Sequence, residues 1–273
     1  MNRRSGLEHP YCWNKLLDTT TWHVHSDRPY TCRKNRLTKM KRLLALLLAF
    51  TCFNTFAAKP KHQYVRISTE LGDCIVMLYK ETPLHTANFI KLSKAHFYDG
   101  TLFHRVIRNF MIQGGDPDSR QAKPGAQLGE GDVGYTIPAE FRDSLFHKKG
   151  VLAAARDDNP EKASSGCQFY LVQGKVFSEE QLSAVEAKRL KFRLPEYQRE
   201  VYKTLGGAPH LDRNYTVFGE VVKGLELVDS VANILTDPND RPNKDIRMKI
   251  TVLKRRQAKK LEKELLAANL WRP

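Results

Sequence analysis

Alternation of apolar and polar side chains marks the first regular stretch of this chain. Tyr64 to Thr69 and Asp73 to Tyr79 alternate and are rich in Val and Ile, with Gly72 between them, the pattern of a β-hairpin. Thr82 can cap a helix with Pro83 at its first position. Leu84, Ala87, Phe89, Ile90 and Leu92 then recur at three and four residues, which predicts a helix over 83–97 with a core-facing stripe. After the Asp99-Gly100 turn, two strands flank the Arg108-Asn109 step. Residues 114–138 hold six glycines and read as a long irregular surface loop. Within it Gly129-Glu130-Gly131 is no phosphate-binding loop, because neither a strand-to-helix context nor Lys-Ser/Thr follows. Strands are expected near 150–155, 168–172 and 216–222, a helix over 225–232, and a last alternating strand over 245–253.

Two segments stand apart from this pattern. Ser178 and Gln181 form a capping box ahead of Leu182, Val185, Leu190, Tyr197 and Val201, with Pro195 as an interruption, so two helices are expected over 178–205. Arg255 to Leu270 carries Leu261, Leu265, Leu266 and Leu270 among mixed charges. This C-terminal helix would either dock on the body or offer an apolar stripe to a partner, and docking is the expectation.

The N-terminal region reads as targeting. Met40-Lys41-Arg42 precedes the apolar run Leu43 to Phe50, and small residues at Ala57-Ala58 precede Lys59-Pro60-Lys61. That order describes a secretory signal peptide over 40–58, cleaved after Ala57 or Ala58. The run is too short for a membrane-spanning helix, so membrane contact is expected only through this signal. Residues 1–39 show no sustained periodicity and read as a non-native or disordered leader, with the true start at Met40. Cys52 invites a lipid anchor, but Phe50-Thr51 before it suit lipidation poorly. The reading is therefore an exported protein, periplasmic or secreted, with a body over 59–254 and a C-terminal helix over 255–273.

Composition narrows the classes. The 273 residues suffice for one substantial domain plus extensions, with 41% hydrophobic and 27% charged residues as in ordinary globular chains. The net charge is +15, but residues 1–58 supply 10 Lys+Arg against 3 Asp+Glu, which is +7 of it. No helix-turn-helix, zinc-finger or aromatic RNA-binding pattern accompanies the charge, so a nucleic-acid partner is not expected. Beyond the signal only Cys74 and Cys167 remain. Their strand-like flanks predict buried free thiols, and no CxxC or Cys/His spacing implies a metal.

The chemistry concentrates in Phe103-His104-Arg105-Val106-Ile107-Arg108-Asn109-Phe110-Met111-Ile112-Gln113-Gly114-Gly115-Asp116. On a regular pleat Arg105, Asn109, Met111 and Gln113 share one side. The turn-prone Arg108-Asn109 step breaks that register and lets Phe110 join them. A guanidinium then sits beside an apolar pocket with an amide at hand, which suits a neutral peptide with an apolar ring. His104 points to the other face and is assigned no role, and no Ser-His-Asp arrangement is present.

This run closely resembles the signature of the cyclophilin-type peptidyl-prolyl isomerases. The resemblance continues through Gly150-Val151-Leu152-Ala153-Ala154-Ala155, Ser165-Gly166-Cys167-Gln168-Phe169-Tyr170 and His210-Leu211-Asp212-Arg213-Asn214-Tyr215-Thr216-Val217-Phe218-Gly219, and spans roughly residues 63 to 254. It implies a mainly β fold: a closed antiparallel eight-stranded β-barrel flanked by helices, here with a helical insertion. It also implies isomerisation of X-Pro bonds in exported polypeptides, with no cofactor and no metal. Arg105 takes the family's catalytic position, and Gln113 that of the amide holding substrate backbone. Phe110, Met111 and Leu211 match the slot for the proline ring, with Tyr170 where Phe is usual. Ala155 and Gln168 fall among the substrate-binding positions. Three departures stand out. His210 replaces a frequent Trp, which implies at most weak cyclosporin binding. Tyr215 replaces the usual pocket His. Arg156-Asp157 replaces the frequent Asn-Ala after Ala155. A monomer is expected. The competing reading is a non-catalytic peptide-binding or scaffold module of the same fold, and a cation under the prolyl nitrogen distinguishes the two.

Overall fold

The computed structural model describes residues 61–268. The predicted leader, the signal segment with Cys52, and Leu270 lie outside them. The predicted hairpin is present as β1 (Gln63–Thr69) and β2 (Gly72–Leu78), paired from Gln63↔Leu78 to Thr69↔Gly72. Gly72, at φ +126°, supplies the turn conformation that L side chains rarely adopt. Helix α1 (Pro83–Lys94) follows, and it ends three residues before the predicted 97, because His96 takes a positive φ of 57°. Thr82 sits at the cap position, yet its hydroxyl makes no capping bond. Glu140, far along the chain, accepts instead from the backbone N–H groups of Leu84 and His85 at 3.1 and 3.0 Å. Its carboxylate also complements the helix dipole.

Next come β3 (Phe103–Ile107) and β4 (Met111–Gly114), a 3₁₀ turn at Pro117–Gln121, and the irregular loop as far as β5 (Thr136–Ile137). The remaining strands are β6 (Val151–Ala154), β7 (Ser164–Ser165), β8 (Phe169–Val172), β9 (Val217–Lys223) and β10 (Lys249–Val252). β5 and β7 form a small separate pair. The other eight make one curled antiparallel sheet in the order β10-β1-β2-β9-β6-β8-β4-β3. The expected closed barrel is thus a curled, open sheet, since its end strands β3 and β10 share no ladder. The last strand is also shorter than the predicted 245–253.

The sheet is covered on both faces. Successive side chains on a strand point to opposite faces. Leu152, Phe169, Leu171 and Ile112 therefore enter one core with Phe89 of α1 and with Val228 and Val231 of α4 (Glu226–Ala232). Ala153, Tyr170, Val172 and Met111 enter a second core. Helix α5 (Arg255–Ala267) docks there through Ala258, Leu261 and Leu265, while Leu266 faces solvent. Glu262 on this helix accepts from the Lys61 backbone N–H at 2.8 Å and ties it to the start of β1. Burial on both sides explains why β6 and β8 read as unbroken apolar runs. Both described cysteines are free and buried, and burial lifts Cys74 to about 12 and Cys167 to about 11, so neither is a thiolate at neutral pH. No described helix is long and apolar enough to cross a membrane.

The insertion builds a third, small core. The Ser178 capping box opens α2 (Glu179–Val185), which runs into a wider π-helical turn at Glu186–Leu190. Pro195 then stands at the N-cap of α3 (Glu196–Thr204), dividing the segment as predicted. Leu182, Leu190, Leu194 and Tyr202 pack with Phe146 and Phe177. Tyr197, one of the apolar positions of the pattern, is 54% exposed. The register of α3 turns Tyr202 and Arg199 inward instead, and Arg199 pairs there with Glu179 and Glu186. The insertion returns to the body where Gly174 and Gly207 touch backbone to backbone. A Cβ on Gly174 would lie 2.3 Å from Gly207 Cα.

Leu182 is fully buried in this small core, so Leu182→Ala removes packing that nothing nearby can replace. It should cost the insertion about 2–5 kcal/mol. Amide exchange should quicken across α2 and α3 while the central strands keep their protection.

Candidate functional site

Cross-strand register assembles the site. Arg105 pairs with Gln113, Gln113 with Tyr170, Tyr170 with Ala153, and Ala153 with Val217. Directly opposed residues share a face, so these five side chains form a row across adjacent strands. Beside it runs a second row, Ile107, Met111 and Val172. The turn between β3 and β4 is tight. Asn109 sits at φ 61°, and the Phe110 N–H donates to the Ile107 carbonyl at 3.1 Å. The predicted break at Arg108-Asn109 is therefore present, and it brings Phe110 to the same cavity as Met111. Gln173 holds the turn, its side-chain oxygen accepting from the Asn109 N–H at 2.6 Å.

The cavity over these rows has a volume of about 130 Å³ and is lined by Arg105, Phe110, Met111, Gln113, Ala155, Arg156, Tyr170, Leu211 and Tyr215. It suits a single small ring, being well below the roughly 300–1,000 Å³ of sites for drug-sized ligands. Nine of the eleven predicted site residues meet here. Gln168 stands behind the wall. Its Nε2 donates to the Gly129 and Gly131 carbonyls at 2.7 and 2.9 Å, and its Oε1 accepts from Gln113 Nε2 at 3.0 Å. Gln113 is left with its carbonyl oxygen to receive a ligand N–H. His210 lies at the rim, its ring 5.2 Å from that of Phe110.

The floor is tied to the insertion by buried polar groups that the sequence pattern did not reveal. The Tyr170 hydroxyl meets His147 Nε2 at 3.0 Å, and His147 Nδ1 meets Asp212 at 2.8 Å. Tyr202 of α3 donates to the other Asp212 oxygen at 2.7 Å. Burial holds the Tyr170 and Tyr202 phenols well above their ordinary pKa, so both stay protonated donors. Asp212 follows Leu211 directly, so the same short 3₁₀ turn (Pro209–Leu211) delivers an apolar wall and an anchor. Arg156 crosses the Tyr215 ring, its Cζ 4.9 Å from the centroid. Arg105 is half-exposed, with Nε 3.5 Å from Asp240. Asp240 comes from a turn remote in sequence.

His104, on the opposite face from Arg105, is 3% exposed. Burial pushes it down to about 4, Asp116 opposing and Arg105 adding to the shift. It is a neutral, buried side chain on the face away from the cavity, the face expected from the alternation.

Comparison with known proteins agrees with this geometry. The family profile described as "Cyclophilin type peptidyl-prolyl cis-trans isomerase/CLD" matches residues 64–252. A Staphylococcus epidermidis protein named as a candidate peptidyl-prolyl cis-trans isomerase is 34% identical over 183 residues, 67% of this chain and 87% of its own. A candidate bifunctional phosphatase and peptidyl-prolyl cis-trans isomerase of Streptococcus pyogenes is 35% identical over 185 residues, again 67% of this chain but 37% of that protein's length. Among solved structures, a cyclophilin-type isomerase of Cryptosporidium parvum in the presence of the dipeptide Ala-Pro superposes with a TM-score of 0.51. It is 25% identical, and the match covers 70% of this chain and 99% of that one.

His104 makes folding pH-dependent with a definite sign. Between its unfolded value near 6.5 and its folded value of about 4, the unfolded chain binds a proton that the folded chain refuses. Its contribution to stability is therefore lost as pH falls through that window. Urea unfolding at pH 7 and at pH 5 should show a larger loss for the wild type than for His104→Gln. Equal losses would mean that His104 does not carry this dependence.

Proposed function

The chain belongs to the cyclophilin-type peptidyl-prolyl cis-trans isomerase family and acts on X-Pro bonds of polypeptides, and from that premise we propose that Arg105 and Gln113 carry the reaction in the cavity over the central strands. A prolyl bond resists rotation because amide resonance holds it planar, with a barrier of ~18–20 kcal/mol. No bond breaks during the turn, so the reaction asks only that the twisted state be bound better than either planar state. Twisting makes the prolyl nitrogen pyramidal and gives it a lone pair. Arg105 stands in the same cross-strand row as Gln113, and its outer guanidinium nitrogens are available to donate to that lone pair. A planar amide offers no such acceptor, so the interaction exists mainly in the twisted state. Lowering the barrier by about 7 kcal/mol corresponds to a rate gain of about 10⁵.

The other groups position the substrate. Phe110, Met111, Leu211 and Tyr215 make the apolar slot for the ring, above the floor set by Tyr170. Gln113, steadied by Gln168, accepts a backbone N–H and keeps the chain from turning with the ring. The single observation that carries the reading is the register Arg105↔Gln113↔Tyr170, which sets cation, amide and ring floor side by side. His210 in place of a broad indole leaves little surface for cyclosporin.

Two finer points belong to the same reading. Although β3 and β10 share no ladder, three backbone bonds between the end segments bridge the gap and complete the barrel. Phe103 N–H donates to the Ile246 carbonyl at 3.0 Å, Met248 N–H to Thr101 at 2.8 Å, and Gly100 N–H to Met248 at 2.9 Å. The enzyme is an exported monomer that serves exported clients; its export is supported by the cationic, apolar and small-residue order of residues 40–58.

Arg105→Ala should lower kcat/KM on a prolyl tetrapeptide by at least about tenfold, and Arg105→Lys should restore it only in part, because an ammonium lacks the planar fork. Phe110→Ala should weaken ring binding as well as turnover. If folded Arg105→Ala keeps wild-type turnover, the catalytic assignment fails and the peptide-binding reading replaces it. Mass spectrometry of the native protein should find an N-terminus next to Ala57 or Ala58. Peptides from residues 1–39 joined to the body would overturn the export reading.

A further inference from the structure

Resting on that assignment of the cavity, we propose that Arg156 makes the site selective for polypeptides carrying an Asp or Glu side chain next to the proline. Two cations, Arg105 and Arg156, line the cavity, and no carboxylate does. Arg105 has Asp240 at 3.5 Å to balance it. Arg156 has a weaker counterpart. Its Nε donates to the Asn214 carbonyl at 2.9 Å, its Nη1 donates to the Asp157 carbonyl at 2.9 Å, and its Cζ lies over the Tyr215 ring. These partners are neutral. The nearest acid, Asp158, lies 3.7 Å from Nη1 with its side chain fully in solvent, where water and salt screen it.

The Arg156 side chain itself is only 11% exposed, so its charge is held in a partly dry setting. Its position is also set in advance by two hydrogen bonds and a ring. A guanidinium fixed in this way loses little freedom on meeting a ligand. Among the described residues its Nη2 has no hydrogen-bond acceptor, so this nitrogen remains for one that the substrate brings. A carboxylate there makes a charge-assisted bond, stronger than the bond to a neutral amide. A lysine at the same place meets two positive charges that their acids, at 3.5 and 3.7 Å and partly or fully in solvent, balance only in part. Discrimination therefore comes from attraction to acid and repulsion of base together.

The test is a set of prolyl tetrapeptides that differ only in one residue adjoining the proline, Glu, Gln or Lys, placed on each side in turn. For at least one side, wild-type kcat/KM at low salt should favour Glu over Lys by about fivefold, as expected of a partly solvated ion pair. The preference should shrink in about 1 M salt, where the screening length falls to ~3 Å. In Arg156→Gln the Glu-to-Lys ratio should approach one, and in Arg156→Lys it should keep its sign. Ratios within one variant cancel any activity lost in common, and the wild-type series with its salt dependence decides the matter even if Arg156→Gln fails to fold. A wild-type ratio of one on both sides, or a ratio that survives in folded Arg156→Gln, overturns the proposal. Should no peptide be turned over, the isomerase reading fails by itself. Calorimetric binding of the same peptides then upholds the acidic preference if Glu binds more tightly than Lys, and overturns it if the two bind alike.

Discussion

Strand register across β3, β4, β8 and β6 is the constraint on which this molecule depends. Arg105, Gln113, Tyr170 and Ala153 come from four strands, and only their pairing across the sheet puts them in one row. Side chains alternate with a period of two, so a slip of one residue in any ladder would send its member of the row to the opposite face. The same slip would turn Ile112 or Leu171, both fully buried, out of their core. Packing on the far face thus holds the register of the near one. The double burial of the sheet is a condition for the site as well as a source of stability.

The helical insertion takes part in this arrangement. Tyr202 on α3, Asp212 beside Leu211, His147 ahead of β6 and Tyr170 on the cavity floor form one buried chain of hydrogen bonds. Buried polar groups are costly unless all are satisfied, so the chain specifies one mutual position of its members. Tyrosine at position 170 provides the hydroxyl that a phenylalanine would lack. The insertion is therefore joined to the cavity through the wall, while its own core of Leu182, Leu190, Leu194 and Tyr202 keeps it folded.

Electrostatics separate the two arginines of the cavity. Arg105 is half-exposed and shares an ion pair with Asp240, so its charge is moderated while its outer nitrogens stay open to a reacting group. Arg156 is nearly covered and bonded to carbonyl oxygens, which orient the guanidinium without neutralising it. Asparagine in that place would bring hydrogen bonds but no charge. The difference bears on which chains the cavity accepts, and much less on how the bond turns.

Local pattern carried much of this protein. The β1–β2 hairpin, the Pro195 break, the Ser178 capping box and the turn at Asn109 were legible because each depends on residues within a few positions of one another. The lining of the cavity was legible through the motif around Arg105 and the segments that resemble the same family. Four features belonged to tertiary structure alone. Helix α1 is capped by Glu140 in place of Thr82, Tyr202 replaces Tyr197 in the insertion core, Asp240 comes to pair with Arg105, and Gln168 stands behind Gln113 as a support. Each is a contact between segments distant in sequence, where geometry selects one partner from many chemically equal ones. Periodicity reports which face a residue takes, but it carries no record of what that face will meet.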